Sequence, residues 1–364
     1  MATSRTPLTE SQVTPQLASQ KSQTPANATV TPWPARRHTP YTKTPRSRRL
    51  KSKGQRRIPQ HDAETETLSR AQELVGKTWR VYRVTPLYKF SHLQPDLKKY
   101  SRQLSMYLEV ENKKGLAVDT QSELGDKAVF QTMGGVSFSD DDAEAIEITV
   151  RAKPPNGSKE GKVIFTGILC SVEIDTDFIA KQKSFVHLPV LLVKGTVAVT
   201  RHVISWLQTQ FDCCINNMRF PPMELAWMAA MWSGLTGDDE NNSVMTMMKA
   251  HPLELLYTLP EEVKGLNTIS MTIAAKDVKM IWDSIHDGSS DDFTIEEMSA
   301  FIQGLESHFY FHFKIKLAAL MLSRIGCNAA FVGTEGRLKI LADVYIHQVL
   351  RYLTQLVVET LPSK

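Results

Sequence analysis

The chain has little of what marks catalysis, disulfide scaffolds or membranes. Its four cysteines, Cys170, Cys213, Cys214 and Cys327, are too few and too scattered for a disulfide framework in 364 residues. No pair has CxxC metal-ligand spacing, so all four are read as buried thiols. No run approaches the ~18 consecutive apolar residues of a membrane span. The opening residues contain no apolar signal core, and these two absences predict an intracellular protein. Neither a phosphate-cradling glycine motif nor a nucleophile elbow is present. His308 and His312 stand four apart on a predicted helix, but no Glu lies between them to act as base, and Phe309 and Phe311 surround them. A structural role for that pair is the stronger reading. Residues 287–292 are loosely like a calcium loop, but the glycine is misplaced and the ligand ladder is missing. Asp140-Asp141-Asp142 is read as a solvated loop or helix cap rather than a metal site. With no catalytic set to nominate, a binding or scaffold role gains over an enzymatic one.

A second shortage is local. Residues 1–60 hold one acid, Glu10, against twelve Lys and Arg, a balance of +11, while the remainder carries −7. The same stretch is rich in Thr, Pro, Ser and Gln and poor in core formers. It buries too little apolar surface to offset its ordering entropy, so residues 1–67 are expected to be a disordered basic tail. Thr-Pro recurs at Thr6, Thr14, Thr24, Thr31, Thr39 and Thr44. These are candidate proline-directed phosphorylation sites, with linker composition as the plainer alternative. Arg46, Arg48, Arg49, Lys51, Lys53, Arg56 and Arg57 form a basic patch suited to nuclear import or nucleic acid.

What is there in quantity is ordinary globular material, 42% hydrophobic and 23% charged, with room for a large core or two lobes. Over the body the periodicity switches repeatedly between two and 3.6. It predicts a short helix over 68–75, a strand at 79–84 and a helix over 95–106. Short strands follow at 107–110, 116–118, 128–130, 145–151 and 162–172, and then 186–193, interrupted by Pro189. A helix opens near Thr200, and residues 223–235 are apolar nearly all round, which predicts burial on most sides. Strands at 253–259 and 266–273 and a helix over 275–286 complete this stretch. The body is divided for description into 68–220 and 221–364.

Residues 293–341 are the most legible. Thr294 with Glu297 makes a capping box, and Phe293 with Met298 a hydrophobic staple. Met298, Phe301, Ile302, Leu305 and Phe309 then form one helical stripe. From Phe313 the alternation predicts a strand over 313–322, with Lys314 and Lys316 on one face and an apolar end wanting cover on both sides. Gly333-Thr334-Glu335-Gly336 supplies turn chemistry, and 337–341 returns antiparallel to it. A closing helix from about Asp343 carries Ile346, Val349, Leu350, Leu353, Leu356 and Val357. If register aligns them, Lys314, Lys316, Arg337 and Lys339 form a patch that suits phosphates without reading bases, with Arg324 and Lys162 as further backbone candidates and a solvated sheet face as the plainer alternative. An open apolar edge on this unit predicts pairing with another chain, through Phe313, Ile315, Leu320, Leu322, Leu338 and Ile340, the alternative being that the closing helix, through Ile346, Leu350 and Leu353, covers everything within one chain. The overall expectation is α+β, a curved, mainly antiparallel sheet backed by helices.

Several stretches together resemble one family. They are Thr85-Pro86-Leu87-Tyr88-Lys89-Phe90-Ser91; Leu97-Lys98-Lys99-Tyr100-Ser101-Arg102 with Lys114-Gly115-Leu116-Ala117-Val118; and Gly161-Lys162-Val163 before Thr166-Gly167. Trp227-Met228-Ala229-Ala230-Met231-Trp232, Trp282-Asp283-Ser284, and Ser307-His308-Phe309 with His312-Phe313-Lys314-Ile315 complete the set. In number and order they are similar to the centromere protein L family of the constitutive inner kinetochore, from about Trp79 to the C terminus. The resemblance implies a non-enzymatic subunit without cofactors, placed in the nucleus at the centromere. It implies pairing with centromere protein N through the C-terminal portion. It also implies assembly with centromere protein C and the H-I-K-M subunits on centromeric nucleosomes, where the pair contributes to a basic groove around DNA. A stand-alone nucleic-acid-binding protein, using the basic tail and the lysine face, is the rival reading.

Overall fold

A computed structural model of the chain describes residues 70–114, 127–137, 142–152, 161–173, 184–234, 250–286 and 294–360. The tail residues named above, Phe293, and the expected strand at 116–118 lie outside them. The first half contributes β1 (Trp79–Val84), β2 (Leu87–Tyr88), α1 (Gln94–Lys114), β3 (Lys127–Met133), β4 (Ala145–Arg151), β5 (Val163–Cys170), β6 (Phe185–Val186), β7 (Val190–Gly195), α2 (Val197–Phe211) and β8 (Ile215–Asn217). The second contributes α3 (Pro222–Ser233), β9 (Leu253–Thr258), β10 (Thr268–Ile273), α4 (Ala275–Ile285), α5 (Ile295–Phe313), β11 (Met321–Gly326), β12 (Ala330–Gly333), β13 (Arg337–Ile340) and α6 (Ile346–Thr360). The fold is α+β, as expected, built on one large open sheet whose ladders are all antiparallel.

The strand order is β10-β9-β11-β12-β13-β1-β7-β5-β4-β3, with β8 also paired to β1. β1 is the hinge of this arrangement. It pairs with β7 along one side, and on the other with β13 at Trp79 and Arg80 and with β8 from Tyr82 to Val84. The sheet therefore runs without a break through both portions of the body.

Period-two alternation gives the sheet two buried faces. On β7, Val190 and Leu192 join one core while Leu191 and Val193 join the other. The first core is covered by α3, α4, α5 and α6, with Trp79, Val81, Leu338 and Ile340 beneath them. The second lies under α1 and α2, where Leu97, Tyr100, Leu104, Val203, Trp206 and Phe211 pack on β3, β4, β5 and β7. Helix α3 is apolar nearly all round because it sits inside the first core, with Leu225, Met228, Ala229, Ala230 and Trp232 buried.

Local expectations fared unevenly. The strand expected at 107–110 is part of α1, whose stripe Tyr100, Leu104, Leu108 continues across it. The expected 186–193 strand is split into β6 and β7, with Pro189 between them. Within the expected helix over 68–75, residues 70 and 71 are helical and a 3₁₀ turn, Gln72–Leu74, follows, while 68 and 69 lie outside the described residues. Cys170 and Cys327 are buried, and burial pushes their thiols up to about 12 and about 11. Cys213 is half-buried, but Cys214 is exposed, which corrects the reading of four buried thiols.

Candidate functional site

The two outer edges of the sheet are treated differently. On β3, the Ala128 and Phe130 N–H groups donate to the hydroxyls of Ser105 and Ser101, each at 2.8 Å. Those hydroxyls themselves donate one turn back along α1, to Ser101 and Leu97 carbonyls. The helix thus satisfies the donors that an edge strand would leave bare. On β10, Thr268, Ser270 and Thr272 are exposed, and among the described residues no strand pairs its outer side. Within β10 there is no Lys, Glu or Pro to blunt that edge.

Register decides which cationic side chains meet. Arg324 lies opposite Gly333, Gly333 opposite Arg337, and Arg337 opposite Arg80, so three arginines stand in one row across β11, β12, β13 and β1. The row continues through Val193, which fixes it on the α1/α2 face of the sheet, beyond the part those helices cover. Lys339 lies on the same face, two residues along β13 from Arg337. Neighbouring strands are ~4.8 Å apart, so Arg80 and Arg337 crowd each other, while Gly333 leaves an open step before Arg324. Among the described residues no carboxylate pairs with Arg80 or Arg337, and Arg324 has only Glu254 at 4.0 Å. Like charges held this close raise each other's energy unless an anion lies over them.

At the Arg80 end the row opens into a cleft of about 430 Å³ lined by Arg80, Asn217, Arg219, Thr334 and Glu335. Backbone bonds hold its walls. Val81 N–H donates to the Gly336 carbonyl at 2.8 Å, Phe220 N–H to Thr334 at 3.0 Å, and Met218 N–H to Val81 at 2.9 Å. Gly336 has φ of +77°, and a Cβ there would fall 2.1 Å from the Met218 carbonyl oxygen. Only glycine closes this turn against the segment after β8.

The expected strand over 313–322 is not present, and two groups of site residues move as a result. Helix α5 runs through Phe313, where the stripe continues with Phe309 and Phe313 rings 4.6 Å apart. Lys314 ends it in the left-handed region at φ 58°, its N–H bonded to Tyr310. A 3₁₀ turn, Leu317–Ala319, then buries Leu317 before β11 starts. Lys314 and Lys316 therefore share no strand face with Arg337 and Lys339. They sit at the tip of α5, Lys314 above the Tyr310 and Phe311 rings at 5.7 and 5.3 Å, and Lys316 6.0 Å from Tyr310.

Of the expected partner residues, Phe313 and Ile315 are exposed at this tip, 62% and 42%. Leu322, Leu338 and Ile340 are instead buried in the chain's own core, and Leu320 packs against it. Leu338 and Ile340 alternate with Arg337 and Lys339 along β13 and face the core that α6 helps to cover, and β11 carries a β-bulge. The register slips between Leu322 and Arg324, so Leu322 and Ile325 both point inward. Behind the tip, the Tyr257 hydroxyl donates to Glu306 at 3.0 Å, pinning α5 to β9, and burial raises the pKa of both groups. His308 and His312 meet edge-on at 4.6 Å on the exposed side.

Lys162 is exposed beside the start of β5, five residues along the strand from Gly167, whose row leads through Val193 to Arg80; it joins neither cluster. The sequence reading missed Arg80 and Arg219. Arg80 carried a signal, alternating with Trp79 and Val81 in β1, whereas Arg219 sits in an irregular segment with none.

A family model described as Centromere protein L matches residues 73–358. The chain belongs to the centromere protein L family. The match spans every helix and strand just described apart from the end of α6. It is 36% identical to Centromere protein L of Homo sapiens over 307 residues, 83% of this chain and 86% of that protein. With the Xenopus tropicalis protein of the same name identity is 34% over 333 residues, covering 90% of this chain and 89% of the other. The Danio rerio relative is 31% identical over 301 residues, 80% of this chain and 77% of that protein.

Proposed function

We propose that this chain is a non-enzymatic centromere subunit of the inner kinetochore, acting in the nucleus on chromosomes. In this reading it pairs with centromere protein N through its C-terminal portion. The pair joins centromere protein C and the H-I-K-M subunits on centromeric nucleosomes, supporting chromosome segregation. Family membership over residues 73–358 supports the centromeric role. The observation that carries the molecular part is the row Arg324, Arg337 and Arg80 on one exposed sheet face, where among the described residues only Arg324 has a carboxylate, Glu254 at 4.0 Å. Such a row suits phosphodiester oxygens and reads no base edges, so the contact is positional and sequence-independent. The partner surface in this reading is the open edge of β10 with the α5 tip, where Phe311, Phe313 and Ile315 are exposed. The tail adds its basic patch, residues 46–57, and is phosphorylated at its Thr-Pro sites.

The test is charge reversal of Arg324 and Arg337 together in the reconstituted pair. Duplex binding at low salt should weaken, and the slope of log affinity against log salt should become shallower by about 2, near 0.9 for each lost phosphate contact. Partner binding should stay intact, because both side chains are exposed. An unchanged slope would remove the row from the DNA contact. Equal, salt-sensitive binding by the chain alone would favour the stand-alone reading, which the same row also supports.

A further inference from the structure

Three glycines, Gly326, Gly333 and Gly336, stand in the β11–β12–β13 meander, and two of them answer a need of the fold. Gly336 has the positive φ and the close backbone described above. Gly326 lies opposite Phe331, and a Cβ on it would fall 2.3 Å from that ring. Gly333 has neither need. Its φ is outside the left-handed region. Among the described residues a Cβ there would meet only the Ser323 carbonyl oxygen at 3.7 Å and the Arg337 Cβ at 4.0 Å, both ordinary contacts. The Gly336 N–H donates to the Gly333 carbonyl at 3.0 Å, so Gly333 opens the turn, where Asp, Asn and Ser are usual and glycine is not required. As a strand residue glycine also weakens pairing. The fold would accept a side chain here.

The missing side chain would stand in the middle of the arginine row. Val332 is buried in the first core, so by alternation Gly333 faces the opposite side, with Arg324 on one neighbouring strand and Arg337 on the other. At two strand spacings those stems are ~9.6 Å apart, whereas Arg337 and Arg80 are adjacent at ~4.8 Å. Two residues back along β12, Phe331 bounds the gap, its ring edge-on to His251 at 4.8 Å. The result is a strip of bare backbone flanked by two cationic stems, which Glu254, 4.0 Å from Arg324, leaves net positive. A phosphodiester entering this strip comes within reach of a guanidinium from each side, at the about 2.7–2.9 Å of charge-assisted bonds. No side chain holds it off the sheet, the close approach that a glycine within a strand permits.

We infer that Gly333 seats one backbone phosphate of duplex DNA between Arg324 and Arg337. Gly333 adds no charge; it is a positioning residue, fixing which step of the row a phosphate occupies. The inference rests on the row lying against DNA, as proposed above, and neutral substitutions separate the seat from the charge.

The test makes Gly333→Ala and Gly333→Val in the reconstituted pair, neither of which alters a charge. Binding of a duplex oligonucleotide is followed by anisotropy over a salt series. Gly333→Val should weaken it at low salt by about tenfold, as the loss of one charge-assisted contact does. The slope of log affinity against log salt should become shallower by about 0.9, the share of one phosphate. Gly333→Ala should move both readings in the same direction by less. Both variants should melt at or above the parent's temperature, because strands favour either residue over glycine, and both should keep centromere protein N. A lower melting temperature in Gly333→Ala would overturn the premise that the fold leaves this position free, and the inference with it. Weaker binding at the parent's slope would overturn it too, since no phosphate contact would have gone. Parent affinity and slope in both variants would remove the seat, while the row would stand if charge reversal of Arg324 and Arg337 still weakens binding. Binding unmoved by either set of changes would remove row and seat together.

Discussion

Trp79 and Arg80 are chain neighbours with opposite surroundings: the indole is buried with its N–H on the Leu74 carbonyl at 3.0 Å, while Arg80 is exposed on the other face. A period of two is enough to read that difference from sequence, and the same kind of local rule served at Thr294. Its hydroxyl accepts the Glu297 N–H, and Glu297 returns a bond to the Thr294 backbone, as the capping box requires. His187 shows what residue-level pattern cannot supply. It sits next to the strand break at Pro189, 5% exposed, and burial lowers its pKa from 6.5 to about 4. Between those values the unfolded chain takes up a proton that the folded chain refuses, so stability is complete above pH 6.5 and falls as pH drops towards 4. The loss should approach roughly 3–4 kcal/mol, at 1.36 kcal/mol for each unit of difference. Urea titrations from pH 7 to 4.5 should show a steeper decline for the parent than for His187→Gln. Parallel declines would mean that another group carries the acid sensitivity.

At the scale of elements, strands and helices with uninterrupted periods were readable, and those broken by an irregularity were not. The left-handed cap at Lys314 removed the expected lysine face, and the bulge at Ser323 puts Leu322 and Arg324 on opposite faces of the sheet. Neither leaves a periodic trace, since a bulge inverts parity and a helix end can mimic alternation for a few residues. The hairpin itself was read with its turn correct and its partner wrong. Residues 337–341 pair with β12, a short strand that the sequence reading did not separate, rather than with 313–322. Edge protection was equally hidden, because nothing in the pattern of α1 announces that Ser101 and Ser105 face the β3 backbone. The contrast between the two edges makes a direct prediction about β10. Ser270→Lys with Thr272→Lys places two charges on an already exposed face, and desolvating them costs more than a strand addition gains. The double variant should keep the parent's melting temperature within about 2 °C, as surface changes of ±0.5 kcal/mol do, yet lose centromere protein N in pull-down. Retained binding would move the interface away from this edge, leaving the α5 tip as its centre.

For the whole molecule, the consequence of one unbroken sheet is that residues 68–220 and 221–364 should not be separable. The first core takes Trp79, Val81, Ile168, Val190 and Leu192 from the former portion and the helices α3 to α6 from the latter. β1 needs β13 across Trp79 and Arg80, and the β12–β13 turn leans on Met218 and Phe220 through the bonds at Gly336 and Thr334. Helix α6 reaches back as well, its Thr354 hydroxyl accepting the Val172 N–H at 3.3 Å. Cutting after residue 220 would expose the apolar side of β1, β5 and β7 on one piece and the undersides of four helices on the other. At ~25 cal/mol for each Å² of apolar surface returned to water, a few hundred Å² suffices to cancel the 5–15 kcal/mol that typical domains have in hand. Thermal unfolding of the intact chain should therefore give one transition, with far- and near-ultraviolet dichroism coincident. Leu338→Asp, which puts a carboxylate opposite Trp79 and Val332 in the shared core, should unfold both portions together and leave no folded, partner-free state. Two resolved transitions, or a Leu338→Asp variant that keeps the α1/α2 side folded, would show that the second core stands without the first.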